Sequence, residues 1–171
     1  SHVTLTDAYP SVDRGLMLQS IYGDPRLQHL WRSFDFAFSE PAVILVRSGE
    51  EVIHTAVSDN GVPQGNILSS LAYARVVQPV YEASIAGLDV TAKAAMDDFT
   101  ATGSVPDILE VYDRLEEGLA ALSCSVSLLK TKIQVTNGVP SEDLLLGASQ
   151  RGLTVVCGNV EALGVMVGLD D

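Results

Sequence analysis

The stretch Ala94-Ala95-Met96-Asp97-Asp98-Phe99-Thr100-Ala101 sets two adjacent carboxylates at the junction of two β-prone runs, Leu88 to Met96 and Phe99 to Ala101. Taken alone, an Asp pair in that place reads as a polar turn, because Asp side chains bond readily to the backbone of their own turn. Two acidic groups side by side at a tight turn are nonetheless an unusual arrangement, since like charges at contact distance repel. The segments on either side decide between a solvated turn and a site.

Upstream, Gly61-Val62-Pro63-Gln64-Gly65 is a loop by composition. Asn66 is placed to cap the helix that follows, which carries Ile67, Leu68, Leu71, Val76 and Val77 and should be kinked or shortened by Pro79. Before that loop, Ala42 to Val46 and Val52 to Val57 predict a hairpin with Arg47-Ser48-Gly49-Glu50 between its strands. Asp24-Pro25 starts a helix with Leu27, Leu30, Trp31 and Phe34 at helical spacing. Earlier still, Val12 to Tyr22 reads as helix, Asp7-Ala8-Tyr9-Pro10-Ser11 as a break and Val3 to Leu5 as a short strand. Downstream, Ser104-Val105-Pro106-Asp107 resembles a capping box with Asp in the usual place of Glu. Ile108, Val111, Tyr112, Leu115, Leu119 and Leu122 give the next helix one apolar face. Lys132 to Val135, Leu153 to Cys157 and Leu163 to Val167 read as three further strands. Strands and helices interleave without strict βαβ alternation, which predicts an α+β layer, a largely antiparallel sheet with helices packed on one face.

The 171 residues suffice for one domain with a real core, and 47% apolar against 19% charged residues excludes disorder. No apolar run is long enough to cross a bilayer, and no basic start precedes an apolar stretch. Cys124 and Cys157 lie in no metal-ligand spacing and read as two buried, reduced thiols, hence an intracellular protein. Net charge is −12, and ten Lys and Arg are scattered along the chain. Nucleic-acid affinity comes largely from neutralising phosphates, so this chain alone should hold DNA or RNA poorly.

Order and spacing turn weak pieces into a pattern. Gly61-Val62-Pro63-Gln64-Gly65 with Asn66-Ile67-Leu68-Ser69 resembles the GxPQG-xxLS segment of reverse transcriptases, and Met96-Asp97-Asp98 resembles the core of their (Y/F)xDD turn. Asp7-Ala8-Tyr9-Pro10-Ser11-Val12 is similar to the end of their first carboxylate motif. Leu129-Lys130-Thr131-Lys132 is similar to their K-T element, and Ala162-Leu163-Gly164-Val165 to the strand before the primer grip. Together these span nearly all of residues 1–171, and their tone is closest to non-LTR retrotransposons.

The resemblance implies a palm carrying RNA-directed DNA polymerase chemistry, with RNA template, DNA primer and deoxynucleoside triphosphate as partners. Nucleotidyl transfer of this kind uses two divalent metals, Mg2+ or Mn2+, about 3.5–4 Å apart. Carboxylates must hold such cations against their mutual repulsion. By the resemblance, Asp97 is the principal metal ligand with Asp98 beside it. Tyr9 lies under the sugar, Asp7 and Ala8 lie along the nucleotide, Gln64 places the template base and nucleotide, and Lys130 stands near the triphosphate.

The departures count equally. The family's first-motif Asp falls at Thr4, whose hydroxyl carries no charge, and Ala95 replaces the aromatic residue before xDD. Asp7 lies three residues on and, along a strand, faces the opposite side. The resemblance begins inside the first motif, so fingers and thumb segments have to come from a longer chain or a partner. Three readings therefore stand: a working polymerase palm, a degenerate palm serving as scaffold, and an unrelated α+β domain with coincident motifs. This polypeptide alone is expected not to polymerise.

Overall fold

The computed structural model describes residues 2–6, 12–63, 67–135, 139–157, 160–162 and 165–167. In chain order its elements are β1 (His2–Thr6), α1 (Arg14–Tyr22), a 3-10 helix (Pro25–Leu30), α2 (Trp31–Phe38), β2 (Ala42–Ser48), β3 (Glu51–Ser58) and α3 (Ile67–Ile85). There follow β4 (Val90–Ala95), β5 (Asp98–Gly103), α4 (Val105–Ala120), β6 (Ser125–Val126), β7 (Lys132–Val135), α5 (Glu142–Gln150), β8 (Thr154–Cys157), β9 (Val160–Ala162) and β10 (Val165–Val167). The fold is α+β. Two units divide it, Ser1–Thr6 with Pro79–Asp171, and Asp7–Gln78.

In the first unit the main sheet has the order β4-β5-β1-β7-β8, with β6 also paired to β1. Its pairs are antiparallel except β7 with β8, where α5 supplies the crossover that a parallel pair requires. Alternation along β5 separates the two faces: Phe99 and Ala101 are buried, whereas Asp98 and Thr100 are half-buried. Tyr81 of α3 stacks on Phe99 with ring centroids 4.9 Å apart. The periodic stripe of α4 is buried at Ile108, Val111, Tyr112, Leu115 and Leu119, while Leu122 lies beyond the end of the helix. Each such aliphatic side chain contributes about 1.5–3 kcal/mol by leaving water. Tyr112 also packs in one cluster with Ile133, Leu144, Ala148 and Leu153, which joins α4 and α5 to the strands. Gly118 lets α4 approach α3, because a Cβ there would meet Val80 Cγ1 at 2.6 Å.

Helix starts in this unit follow local chemistry. Ser104 caps α4 by accepting from Asp107 N–H at 3.4 Å, and its own hydroxyl donates to Asp107 Oδ2 at 2.6 Å. The expected reciprocal bond is thus made through the hydroxyl, the shorter Asp carboxylate bonding to that group. Ser141 caps α5 by accepting from Leu144 N–H at 3.2 Å, with Glu142 and Asp143 in the first turn, where the helix dipole favours anions.

In the second unit, Asp13 caps α1 by accepting from Leu16 N–H at 2.8 Å, so the helix starts at Arg14 rather than at Val12. Asp24 caps the 3-10 turn, Pro25 stands at its first position, and α2 continues from Trp31. Arg26 donates twice to the Asp24 carboxylate, and Arg75 lies 3.3 Å from it. The Arg26 hydrogen bond is the main force holding Asp24 down to about 2. Val12, Met17, Ile21, Phe34, Phe38, Val62, Ala72, Tyr73, Val76 and Val77 are buried.

Several expectations need correction. The β2–β3 strands run further than predicted and leave only Gly49 and Glu50 between the paired Ser48 and Glu51. Gly49 adopts φ 62°, which lets the chain reverse that tightly. α3 contains Pro79 and continues to Ile85, so of the two expected outcomes, a kink or a shortening, the shortening does not occur. Residues 163 to 167 do not form one strand: Val160–Ala162 pairs with Val165–Val167, and Leu163 and Gly164 lie outside the described residues. Cys124 is buried, but Cys157 is exposed at the end of β8, against the expectation of two buried thiols. Among the described residues no helix is long and apolar enough to cross a membrane.

Candidate functional site

β4 and β5 form a hairpin in which Ala95 and Asp98 are the last paired residues, so the two-residue turn is Met96-Asp97. The carboxylate pair therefore straddles the boundary: Asp97 sits in the turn and Asp98 opens β5. The prediction that both occupy the turn misplaces it by one position. Met96 has φ 59°, the left-handed region that non-glycine residues enter at a cost of about 1–2 kcal/mol. The surroundings hold that conformation in place. Tyr81 OH donates to Met96 O at 3.3 Å while its ring lies on Phe99, so α3 braces both the turn and the strand behind it. Met96 is 51% exposed, and both Asp97 and Asp98 are half-buried.

β1 lies beside this hairpin. Its register pairs His2 with Thr100, Val3 with Phe99 and Thr4 with Asp98. Position 4 is thus the direct cross-strand partner of the second Asp. Partners of this kind bring their Cα atoms to about 4.5–5.5 Å. Three of the sequence-predicted positions, 4, 97 and 98, are brought together at one end of the β1–β5 pair.

Lys130 is exposed in the turn between β6 and β7, where its N–H donates to Ser127 O at 3.1 Å. Thr131 anchors that turn: it is 1% exposed, and its hydroxyl donates to Ser127 O at 2.7 Å. β6 and β7 both pair with β1 on the side away from β5. Lys130 thus lies in the turn joining two strands that pair with β1, whereas Asp98 opens β5, a different neighbour of β1. Asp7, Ala8, Tyr9 and Gln64 lie outside the described residues.

The donor set can be tested against the metals that the resemblance implies. A two-metal centre needs bridging carboxylates from more than one strand. Asp97 and Asp98 provide two from a single hairpin, and the neighbouring strand offers threonine at the register position opposite Asp98. Among the described residues no group of three or more His, Cys, Asp or Glu side chains is gathered. The described residues thus place two carboxylates, Asp97 and Asp98, at this hairpin, with threonine as the register partner of Asp98.

One strongly tied residue escaped the sequence reading. Arg14 is 8% exposed and spends its guanidinium on the carbonyls of Gly61, Ser58, Glu40 and Asn60 and on Ser58 Oγ, all at 3.1–3.4 Å. The available signal was a cation in the first turn of a helix, where the dipole disfavours it. An open cavity of about 620 Å³ is lined, among the described residues, by Arg32, Ser33, Phe36, Ala37 and Leu68. Comparison with the models of known protein families gives no match, and comparison with curated proteins gives none either.

Proposed function

We propose that the chain is a palm of the reverse-transcriptase type whose metal site has been disabled, so that it keeps the polymerase scaffold without its nucleotidyl transfer. The observation that carries this reading is the register of Thr4 with Asp98 beside the Met96-Asp97 turn. The motif order alone predicts that the first-motif position and the Asp pair meet, although 94 residues separate Thr4 from Asp98 (98 − 4). An unrelated domain with coincident motifs has no reason to pair those two positions.

The same pairing supports inactivity. Replacing a carboxylate by a hydroxyl at position 4 removes a unit of negative charge where two divalent cations would demand it. The net charge of −12 adds to this, since it opposes a phosphate backbone. RNA template, DNA primer and deoxynucleoside triphosphate remain the partners that the resemblance suggests, with Mg2+ or Mn2+ as the metal of an active relative.

Primer extension on an RNA template with magnesium tests the reading. The natural product containing this segment should not extend, and Thr4→Asp should gain extension that Asp97→Ala in the same background removes. Extension by the unaltered protein would refute the disabled site. Failure of Thr4→Asp to gain any activity would leave the scaffold role without its polymerase ancestry.

A further inference from the structure

The β2–β3 hairpin is a sheet of two strands, and among the described residues neither strand pairs with any other. A hairpin of that size is at best marginally stable in water by itself. Its base is fixed, because Arg14 Nη1 donates to Glu40 O at 3.4 Å and to Ser58 O at 3.2 Å. Beyond that base every residue of β2 is exposed, and β3 is exposed except at Ala56 and Ser58, which are half-buried.

The sequence of β2 is nevertheless that of a covered strand. Val43, Ile44, Leu45 and Val46 run without a polar break, as in strands buried on both faces, whereas a strand with one wet face alternates. Val43 pairs with Val57 and Leu45 with Thr55 on one face, and Ile44 pairs with Ala56 and Val46 with His54 on the other. Those four β2 side chains are 43–63% exposed. Native sheets blunt a free edge with lysine, proline or a bulge. The bulge here lies in β3, where Ile53 is the extra residue between the Val46–His54 and Arg47–Val52 pairs. β2 keeps a regular outer edge and contains neither lysine nor proline.

Charge selects what can occupy that edge. From Glu40 to Asp59 the charged residues are Glu40, Arg47, Glu50, Glu51 and Asp59, a net charge of −3 (+1 − 4). All five are exposed. Glu40 and Asp59 stand at the base and Glu50 and Glu51 at the tip, so an apolar centre has acids at both ends, about 20 Å apart along the strand. A second copy of this chain meets acid with acid whichever way its strand runs: tip on tip if parallel, tip on base if antiparallel.

We infer that the outer edge of β2 accepts an extended strand of a partner protein, apolar in its middle and carrying Lys or Arg at both ends. Backbone hydrogen bonds to the β2 edge hold that strand, and its aliphatic side chains pack beside those of β2. Its terminal cations meet the acids at the base and tip. The inference stands on the hairpin alone and does not depend on the palm reading.

The test titrates the full chain with three labelled synthetic peptides, read by fluorescence anisotropy and by hydrogen exchange of β2. The first has a valine-threonine-valine-isoleucine-valine core with lysines at both ends, the second has glutamates in place of the lysines, and the third is the lysine form with proline at the central position. The lysine form should bind saturably and slow exchange in β2, with exchange in β1 and β5 unchanged. The glutamate form should bind at least about tenfold more weakly, since each exposed ion pair contributes a factor of about 1.5–5 and several are reversed. The proline form should not bind, because it lacks an N–H for the edge. Glu50→Gln with Glu51→Gln, both at exposed positions, should weaken the lysine form severalfold. Equal affinity for the lysine and glutamate forms, no binding of either, or binding that leaves β2 exchange unchanged overturns the inference. A saturable dimer of this chain that protects β2 and that the lysine form does not displace also overturns it, and makes a second copy the occupant.

Discussion

Replacing Thr4 by Asp tests whether a single carboxylate separates this site from a metal centre. Position 4 is the Cα partner of Asp98, and directly opposed antiparallel residues carry Cβ atoms about 4.5–5.5 Å apart. Two carboxylates about 5 Å apart repel by about 0.8 kcal/mol in bulk water and about 3 kcal/mol at an effective dielectric of about 20. Asp98 is half-buried, so the variant falls between these limits. A loss of about 1–3 kcal/mol in a chain of this length lowers the melting temperature by about 2–12 °C. A divalent cation bound at a hundred times its dissociation constant returns about 2.7 kcal/mol, enough to offset most of that loss. Thermal melts at neutral pH and matched ionic strength read the effect. Thr4→Asp should melt early in NaCl and recover in MgCl2 or MnCl2, whereas the unaltered chain should respond to neither. Thr4→Asn, uncharged, should show neither the loss nor the recovery, and Asp97→Ala added to Thr4→Asp should abolish recovery. A Thr4→Asp variant that melts identically with and without the divalent cation would refute the reasoning.

Gly118→Ala should destabilise the first unit by up to about 2 kcal/mol in a thermal melt. The overlap with Val80 Cγ1 at 2.6 Å costs about 1–3 kcal/mol, and better helix propensity returns about 1 kcal/mol. Asp24 has its folded pKa lowered from 3.8 to about 2, so its contribution is present above pH ~4 and is lost as pH falls through about 2. Fluorescence of Trp31, the single tryptophan, should report that acid transition, and Asp24→Asn should flatten its pH dependence. Tyr112 shows the opposite sign. Burial, and then the Glu116 charge, raise it from 10.0 to about 12, so its contribution is complete below pH ~10 and disappears as pH rises to about 12. Tyr112→Phe should remove that alkaline slope in a denaturant titration. On the β2–β3 hairpin, Val43 is 63% and Ile53 59% exposed, and Val43→Lys with Ile53→Lys should lower concentration-dependent light scattering.

Elements whose signal is local were legible, and those that depend on distant partners were not. The α4 stripe was readable because its apolar residues recur at helical spacing and all bury against one side. α5 escaped because Leu144, Leu145 and Leu146 are consecutive and followed by Gly147, which gives no helical period. Only Leu144 of the three is buried, with Leu145 47% and Leu146 61% exposed. Its Ser141 cap and the acidic pair after it were the clues available. Pro79 does not shorten the helix because a lost N–H bond is a local penalty, while Tyr81, Val80 and Val77 anchor the helix on both sides of it through tertiary packing. Cys157 ends an apolar run and reads as core, but it is the last residue of β8, where the strand leaves cover. Arg14 was invisible because carbonyl groups, its main partners, carry no sequence signature.

The site was half legible for a related reason. Motif order named the positions, but only strand register could say whether position 4 faces the Asp pair. That register is not free to adjust. Phe99 and Ala101 are buried on one face of β5, with Phe99 held under Tyr81, and a one-residue slip would turn Asp98 into the core and Phe99 out of it. β1 stays regular from His2 to Thr6 and pairs on its other side with β6 and β7, which pins it from both flanks. The same packing therefore fixes Thr4 opposite Asp98, so in the proposed reading an acid introduced at position 4 would stand beside the Asp pair without any shift of register.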